Sequence, residues 1–125
     1  MIDHVSIPVA DLVAAGDFYD TVLTPFGMIR LAIRDRTIGY GNRYPELWLN
    51  LREDHVSPDN PGHHVALRCR SPGVVDAFHA AALAAGGVSD GAPGTRQGEM
   101  TAYYGAFIRD LDGNRIEAVT FPTTD

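Results

Sequence analysis

The sequence repeats itself after a shift of 60 residues, and this repeat restricts the possible folds more than any other feature. His4-Val5 aligns with His64-Val65, and about twenty residues match without a gap. Such a repeat indicates two copies of one supersecondary unit that bury their apolar faces against each other. A turn-rich loop at 57–62 divides module 1 (about 1–56) from module 2 (about 63–125). We expect one domain, because neither half is stable alone.

Each module is predicted to have the order β-α-β-β-β. Asp11 is placed to cap the first helix, and Ser71-Pro72 begins the second in the favoured order of cap and then proline. The strands are predicted at 2–8, 28–34, 36–40 and 46–52 in module 1 and at 63–70, 88–92, 101–110 and 115–121 in module 2. The apolar helix stripes are predicted as Ala15, Phe18, Tyr19, Val22 and Leu23, then Val75, Phe78, Ala82 and Leu83.

Composition excludes several classes of function. Sixteen acidic and ten basic residues give a net charge of −6, which disfavours a nucleic-acid partner. Every basic residue is an arginine, so a Schiff-base lysine and a Walker-type phosphate loop are excluded. One cysteine, Cys69, allows no internal disulfide. Because neither a signal peptide nor a membrane-length apolar run is visible, we expect a cytoplasmic protein without a membrane partner.

Strand alternation predicts a cluster of metal-ligating side chains. If Val5, Leu47 and their neighbours of the same parity face the helices, the opposite face carries His4, Glu46, His64 and Glu117. A lone strand histidine is usually a surface residue, but here a histidine and a glutamate recur at what we expect to be matched places in both halves. Two histidines and two carboxylates suit Zn, Ni, Mn, Co or Fe(II) and leave coordination positions open for a substrate.

The other histidines are expected to play structural or surface roles. His55 lies in a charged stretch and is predicted to be a surface residue. His79 stands beside a helix stripe and is predicted to be structural, and His63 points away from the predicted metal face. On that face, Trp48 is a candidate for packing a substrate and Arg68 for binding its carboxylate or phosphate, although barrel packing and a surface ion pair are the alternatives. One of Tyr103 and Tyr104 is expected to face inward.

The end of module 2 resembles a known family. The stretch 107–117, with its Asp112-Gly113-Asn114 turn and Ile116-Glu117, is similar to the closing hairpin of the vicinal oxygen chelate superfamily, also called glyoxalase/bleomycin-resistance/dioxygenase proteins. Leu111 stands where that family usually has proline. The resemblance extends over essentially the whole chain. It implies an α+β fold in which two tandem β-α-β-β-β modules form a half-open, eight-stranded, barrel-like sheet around a central cavity, with the helices outside.

The resemblance also implies a ligand set and a reaction. It assigns His4, Glu46, His64 and Glu117 to a divalent metal. Members with all four ligands resemble glyoxalase I, a metal-dependent lyase/isomerase that forms a metal-stabilised enediolate from a small hydroxycarbonyl or thiol adduct. Glu46 or Glu117 would then shuttle the proton. Glutathione itself is a doubtful substrate, because no clear set of arginines is assignable to its carboxylates.

Two alternatives remain open. Members without a carboxylate at the position of Glu46 resemble extradiol dioxygenases, which use Fe(II), and thiol transferases that modify an antibiotic. Metal-free, bleomycin-resistance-like members bind a drug in a dimeric groove. Glu46 is therefore the discriminating residue, and a register slip of one residue would turn it away from the cavity. We expect a small-molecule substrate and a homodimer, and the sequence leaves open whether each site is built from one chain or from two.

Overall fold

The computed structural model describes residues 1–121, so the last four residues of predicted module 2 lie outside the described residues. Within 1–121, module 1 contains β1 (Val5–Val9), α1 (Leu12–Val22), a 3-10 turn (Thr24–Phe26), β2 (Ile29–Ile33), β3 (Thr37–Gly41) and β4 (Leu47–Leu51). Module 2 contains β5 (Val65–Arg68), α2 (Pro72–Ala84), β6 (Val88–Gln97), β7 (Ala102–Arg109) and β8 (Arg115–Thr120).

The predicted fold is confirmed: two modules of the same order pack in tandem. Each module forms a four-stranded sheet, in the order β1-β4-β3-β2 and β5-β8-β7-β6. In both sheets the first strand pairs parallel with the last, and the other neighbours are antiparallel. The strands are divided between two sheets, and the described residues form no closed barrel.

Both helices begin directly after the predicted cap residues, but Ser71 makes no side-chain capping hydrogen bond. Asp11 accepts a hydrogen bond from the backbone N–H of Ala14 at 3.1 Å, which satisfies one free donor of the first turn. Pro72 occupies the first turn of α2, where its missing N–H costs nothing. One predicted core position is wrong: Leu83 is 44% exposed. Ala82 is buried as predicted. Leu83 follows it on the solvent-facing side of the helix, which ends at Ala84.

The two modules share one hydrophobic core. Phe18 and Tyr19 of α1 and Phe78 of α2 are almost fully buried. The ring of Phe26, from the 3-10 turn of module 1, packs edge-on against Phe78 of module 2 at 5.7 Å between centroids. Because each helix covers its own sheet and also the other helix, the apolar surface of one half is completed by the other.

Some strand ends differ from those predicted. The first strand begins at Val5, and Ile2 is 80% exposed. The strand predicted at 88–92 continues to Gln97, with register shifts around Gly91 and Gly94. Such bulges accommodate glycine and proline within a paired strand, so these residues do not end it.

A polar cluster fastens the β7–β8 turn of module 2 to module 1. The backbone N–H of Ala10 donates to Asp112 Oδ1 at 2.8 Å, and Asn114 Nδ2 donates to the carbonyl of Pro8 at 2.8 Å. Tyr19 Oη donates to Asp110 Oδ2 at 2.5 Å, and both groups are buried. Burial raises the pKa of Asp110 despite its hydrogen bonds from Tyr19 and Asn114. The turn that resembles a family signature is thus also the clamp between modules.

Replacing Tyr19 with Phe is expected to destabilise the protein by about 1–3 kcal/mol, because one donor to the buried Asp110 carboxyl is lost. Urea unfolding followed by circular dichroism measures this change. Tyr44→Phe is the matched control, since Tyr44 is 55% exposed. Equal stabilities of the two variants would contradict the assigned role of the Tyr19–Asp110 pair.

Candidate functional site

His4 and Glu46 are neighbours on the open face of module 1, the face turned away from the helices. Val5 pairs with Leu47, so the preceding residues of the two strands lie side by side, and the backbone N–H of Val5 donates to the carbonyl of Glu46 at 2.9 Å. His4 Nδ1 lies 2.7 Å from Asp3 Oδ1, and both side chains are largely exposed. A carboxylate on one ring nitrogen directs the other nitrogen, Nε2, outward as an available ligand.

His64 and Glu117 form a second pair, on the open face of module 2. His64 Nε2 lies 3.3 Å from Glu117 Oε1. Glu117 is 5% exposed, whereas the His64 side chain is 45% exposed and packs near the Phe107 ring, 5.8 Å between centroids. A buried carboxylate and a histidine at the cavity edge therefore point at one another.

The geometry of this second pair fits a metal ion. Nitrogen and oxygen ligands bind zinc-like cations at about 2.0–2.2 Å, so two ligands at roughly 90–110° lie about 3.0–3.4 Å apart. The His64–Glu117 separation of 3.3 Å is within that range. A buried carboxylate is costly unless a cation or donors compensate its charge. The donor set therefore suits a divalent cation.

The structure does not bring the four predicted ligands together. Among residues 1–121, no three His, Cys, Asp or Glu side chains are close enough to hold one metal ion. His64 with Glu117, and His4 with Glu46, are two separate half-sites on different modules. Within one chain, neither half-site lies close enough to the other to complete it.

Strand register shows that Glu46 and Glu117 are not at matched places. Glu117 pairs with Ala66, two residues after His64, whereas the residue that pairs with Ser6, two residues after His4, is Trp48. The expected match was therefore wrong by two residues. The slip preserves side-chain parity, so Glu46 still shares the open face, but it lies two residues before Trp48, the position that corresponds to Glu117.

Trp48 covers the middle of the module 1 face. A Cβ atom placed on Gly39, its neighbour on β3, would lie 2.9 Å from the indole ring and from Pro45. The Arg34 guanidinium lies 5.3 Å from the ring centroid, a cation–π distance. Gly39 thus leaves room for an aromatic ring at the place where the other module carries the Glu117 carboxylate.

A cavity of about 320 Å³ lies beside Glu117. Its wall includes Val119 and Phe121, which follow Glu117 on the same side of the strand, and Tyr103. Tyr103 and Phe121 have ring centroids 5.9 Å apart. Burial and the charge of Glu117 raise the pKa of Tyr103, so this phenol stays protonated. The lining is mainly apolar, and its two carboxylates are Glu99 and Glu117.

The open choice between the two adjacent tyrosines is resolved. Tyr103 faces the cavity, and Tyr104 points to the helix side, where its hydroxyl donates to Asp76 at 2.6 Å. Sequence analysis did not select Phe121, although the parity of Glu117 and Val119 was enough to place it on that face.

Arg68 is not among the residues that line this cavity. Its guanidinium lies 4.6 Å from the Phe121 ring centroid, at the cavity's outer edge. From there it faces the junction between modules, where it lines two further cavities. Its predicted role as an anion-binding residue is untested by these contacts.

The remaining histidines contact structural groups. His79 is buried, and its Nε2 lies 2.8 Å from Ser89 Oγ; burial lowers its pKa. His55 Nε2 lies 3.0 Å from the carbonyl of Asp112, so it supports the β7–β8 turn more than a surface position implies. His63 Nε2 lies 3.4 Å from Asn114 Oδ1, away from the Glu117 face.

No helix within the described residues is long and apolar enough to cross a membrane.

Comparison with known proteins agrees with the geometry. A sequence model of the Glyoxalase/Bleomycin resistance protein/Dioxygenase superfamily matches residues 1–118. A comparison with curated protein sequences finds no significant match. A glyoxalase/bleomycin resistance protein from Albidiferax ferrireducens T118 is 29% identical, with a TM-score of 0.85, and the match covers 95% of this chain and 98% of that chain.

More distant structures share the fold alone. A glyoxalase/bleomycin resistance protein/dioxygenase family enzyme from Burkholderia phytofirmans PsJN is 19% identical, with a TM-score of 0.73 over 95% of this chain and 97% of its own. A glyoxalase/dioxygenase from Nostoc punctiforme is 19% identical, with a TM-score of 0.71 over 98% and 92%.

Gly39→Ala is expected to displace the indole of Trp48 and to destabilise the protein by about 1–3 kcal/mol, because the new methyl group overlaps the ring. Since the chain has a single tryptophan, its fluorescence maximum reports the displacement directly. Gly94→Ala is the control, because a Cβ there meets only the Ala92 carbonyl, at 4.0 Å. An unchanged emission spectrum in Gly39→Ala would contradict the described packing of Trp48.

Proposed function

The chain belongs to the Glyoxalase/Bleomycin resistance protein/Dioxygenase superfamily, and on this basis we propose that it is a divalent-metal-dependent enzyme acting on a small oxygen-chelating substrate. The observation that carries the proposal is the His64–Glu117 pair, whose 3.3 Å separation matches two ligands of one cation. Members of the superfamily generally bind divalent metals. A bound cation would supply Lewis-acid polarisation of the substrate oxygens.

The third proposed ligand is His4. Its Nδ1 lies against the Asp3 carboxylate, which orients the ring, as carboxylate partners of metal-bound histidines do. Together with His64 and Glu117 it makes a set of two histidines and one carboxylate. That set leaves several coordination positions open and is characteristic of Fe(II) oxygenases, although Mn, Co, Ni and Zn also accept these donors.

We propose that the active unit is a homodimer in which His4 of one chain meets His64 and Glu117 of the other. Within one chain the helices pack on each other, and the two half-sites stay apart. In a two-fold dimer of identical chains, the module 1 face of each chain meets the module 2 face of the other. Two complete sites therefore form. The exposure of His4 and His64 leaves both rings free for such a contact.

The register of β4 favours the three-ligand branch of the superfamily, which comprises ring-cleaving dioxygenases and thiol transferases. Trp48 occupies the strand position that corresponds to Glu117, so a fourth ligand at that position is replaced by an indole. In the proposed dimer, Trp48 and the cavity of Tyr103 and Phe121 face the same space. They offer aromatic surface to a substrate whose adjacent oxygens reach the metal.

A glyoxalase-type lyase/isomerase is the second candidate, and one observation favours it. Glu46 lies beside His4 on the same face, is exposed, and can turn toward a metal or a substrate proton. In that reaction Glu46 or Glu117 would take a carbon-bound proton and return it to the neighbouring carbon. A metal-free drug-binding role remains the reading to adopt if no metal binds.

His4→Ala and His64→Ala are each expected to abolish binding of one divalent ion per chain, and their heterodimer is expected to regain about half of the wild-type metal content, since one of its two sites keeps every ligand. The two variants are co-expressed with different tags, the heterodimer is purified, and metal is measured by elemental analysis after tag removal.

His63→Ala is the control for this experiment, because His63 is adjacent in sequence but contacts Asn114 instead. Metal lost in both variants and not regained in the heterodimer would contradict the shared site. Absence of metal from reconstituted wild-type protein would end the enzyme proposal.

Glu46→Gln separates the two enzyme candidates. The three-ligand site predicts metal affinity within about twofold of wild type, because an exposed carboxylate that does not ligate contributes little. The four-ligand isomerase site predicts a loss of about tenfold or more. Competition with a fluorescent chelator measures the affinity, with Glu53→Gln as a control for removing an exposed glutamate that pairs with Arg36.

A further inference from the structure

The repeat gives the molecule two equivalent junctions between modules. At the first junction, the end of β1 meets the β7–β8 turn. At the second, the end of β5 meets the loop between β3 and β4, residues 42–46. The 60-residue shift relates Pro8 to Arg68 and Ala10 to Arg70. The matching strand registers relate Asn42, which follows β3, to Asp110, which follows β7.

The first junction is filled by carboxylates of the chain itself. Asp112 accepts the backbone N–H of Ala10, and Asp110 accepts the hydroxyl of Tyr19 and the side-chain amide of Asn114. These contacts show what the backbone at the end of the first strand of a module binds in this fold: a carboxylate from the opposite turn.

The second junction lacks that carboxylate. The loop at 42–46 reads Asn-Arg-Tyr-Pro-Glu, so its one acidic residue is Glu46, directly before β4. In place of the filled turn there is a cavity of about 390 Å³, whose charged lining consists of Arg68 and Arg70. Asn42 contributes an amide to the same cavity, and Phe26 and Val74 contribute apolar wall.

The charged lining of this cavity is positive in a protein whose net charge is −6. Four of the ten arginines, Arg30, Arg36, Arg109 and Arg115, pair with carboxylates. Among the described residues, no carboxylate lies within ion-pair distance of Arg68 or Arg70. A neighbouring cavity that shares Arg68 and Asn42 contains Glu46, which lines only that neighbour.

We propose that the second junction is a binding site for a small organic carboxylate, which takes the place that the Asp110–Asp112 turn occupies at the first junction. Arg70 and Arg68 hold the carboxylate, Asn42 adds a donor, and the hydrocarbon part of the ligand lies against Phe26 and Val74. The site is separate from the metal half-sites, so this inference does not depend on the proposed enzyme activity.

The chemistry of the lining favours a carboxylate with an apolar body. Guanidinium groups bind carboxylates through paired, charge-assisted hydrogen bonds. Burial raises the pKa of the Cys69 thiol, which therefore adds no negative charge to the cavity. A ligand that contacts both the 3-10 turn of module 1 and α2 of module 2 binds only the folded protein, and so stabilises it by mass action.

Benzoate is the probe, because it combines one carboxylate with a ring that the cavity can contain. Wild-type protein is titrated with benzoate, benzyl alcohol and inorganic phosphate, and amide shifts are followed by ¹H–¹⁵N NMR. We expect saturable shifts at Gly27, Arg70 and Val74 with benzoate, at least tenfold weaker binding in Arg70→Gln, and unchanged binding in Arg52→Gln. Arg52 is exposed and hydrogen-bonds the carbonyl of its neighbour, so it is a matched control.

Asn42→Asp gives a second, independent test. This substitution supplies a carboxylate from the loop itself, as Asp110 does at the other junction, and is expected to raise the melting temperature and weaken benzoate binding at least tenfold. The proposal is overturned if the benzoate-induced shifts do not saturate or lie only around Glu117. It is also overturned if Arg70→Gln or Asn42→Asp leaves the benzoate affinity unchanged, or if benzyl alcohol or phosphate binds as tightly as benzoate.

Discussion

The parallel pairing of the first and last strands in each module is the constraint on which the rest of the structure depends. It sets Val5 beside Leu47 and Val65 beside Ile116, so these apolar side chains all face the helices. The alternate residues are thereby committed to the open faces. Every feature of the candidate site follows from this register: the His4–Glu46 neighbourhood, the buried position of Glu117 and the row of side chains that leads to Phe121.

The shared helical core then determines how the two faces are disposed. Burying Phe18 and Phe78 in one core brings α1 and α2 together, and the hydrogen bonds of the β7–β8 turn hold the modules in that arrangement. With the helices joined, His4 is not delivered to the His64–Glu117 pair of its own chain. In the proposed homodimer, a second chain would bring His4 to the His64–Glu117 pair without disturbing this shared core.

Sequence reasoning predicted the modules and the open faces because side-chain parity depends only on local alternation. It predicted Glu46 at the counterpart of Glu117 because parity repeats every two residues, so a two-residue error in register is invisible to it. Only the cross-strand pairing reveals such an error. That pairing is set by the loop that contains Tyr44 and Pro45, because this loop determines which residue begins β4. The orientation of Tyr103 depended on the same kind of information. The division of the ligands between half-sites depends on helix packing, which a strand pattern does not encode.

Comparison of the two modules shows where the chain has specialised. Equivalent backbones carry Trp48 and Gly39 in one module and Glu117 and Phe107 in the other, so one face is a hydrophobic platform and the other a carboxylate centre. The same divergence separates the junctions: at one, the β7–β8 turn supplies Asp112, and at the other, the end of β5 supplies Arg68 and Arg70. Features required for folding, such as the single helix and the parallel pairing of the first and last strands, persist in both copies. Residues that differ at equivalent positions are not needed for this shared framework, and some of them, such as Glu117 and Arg70, line cavities.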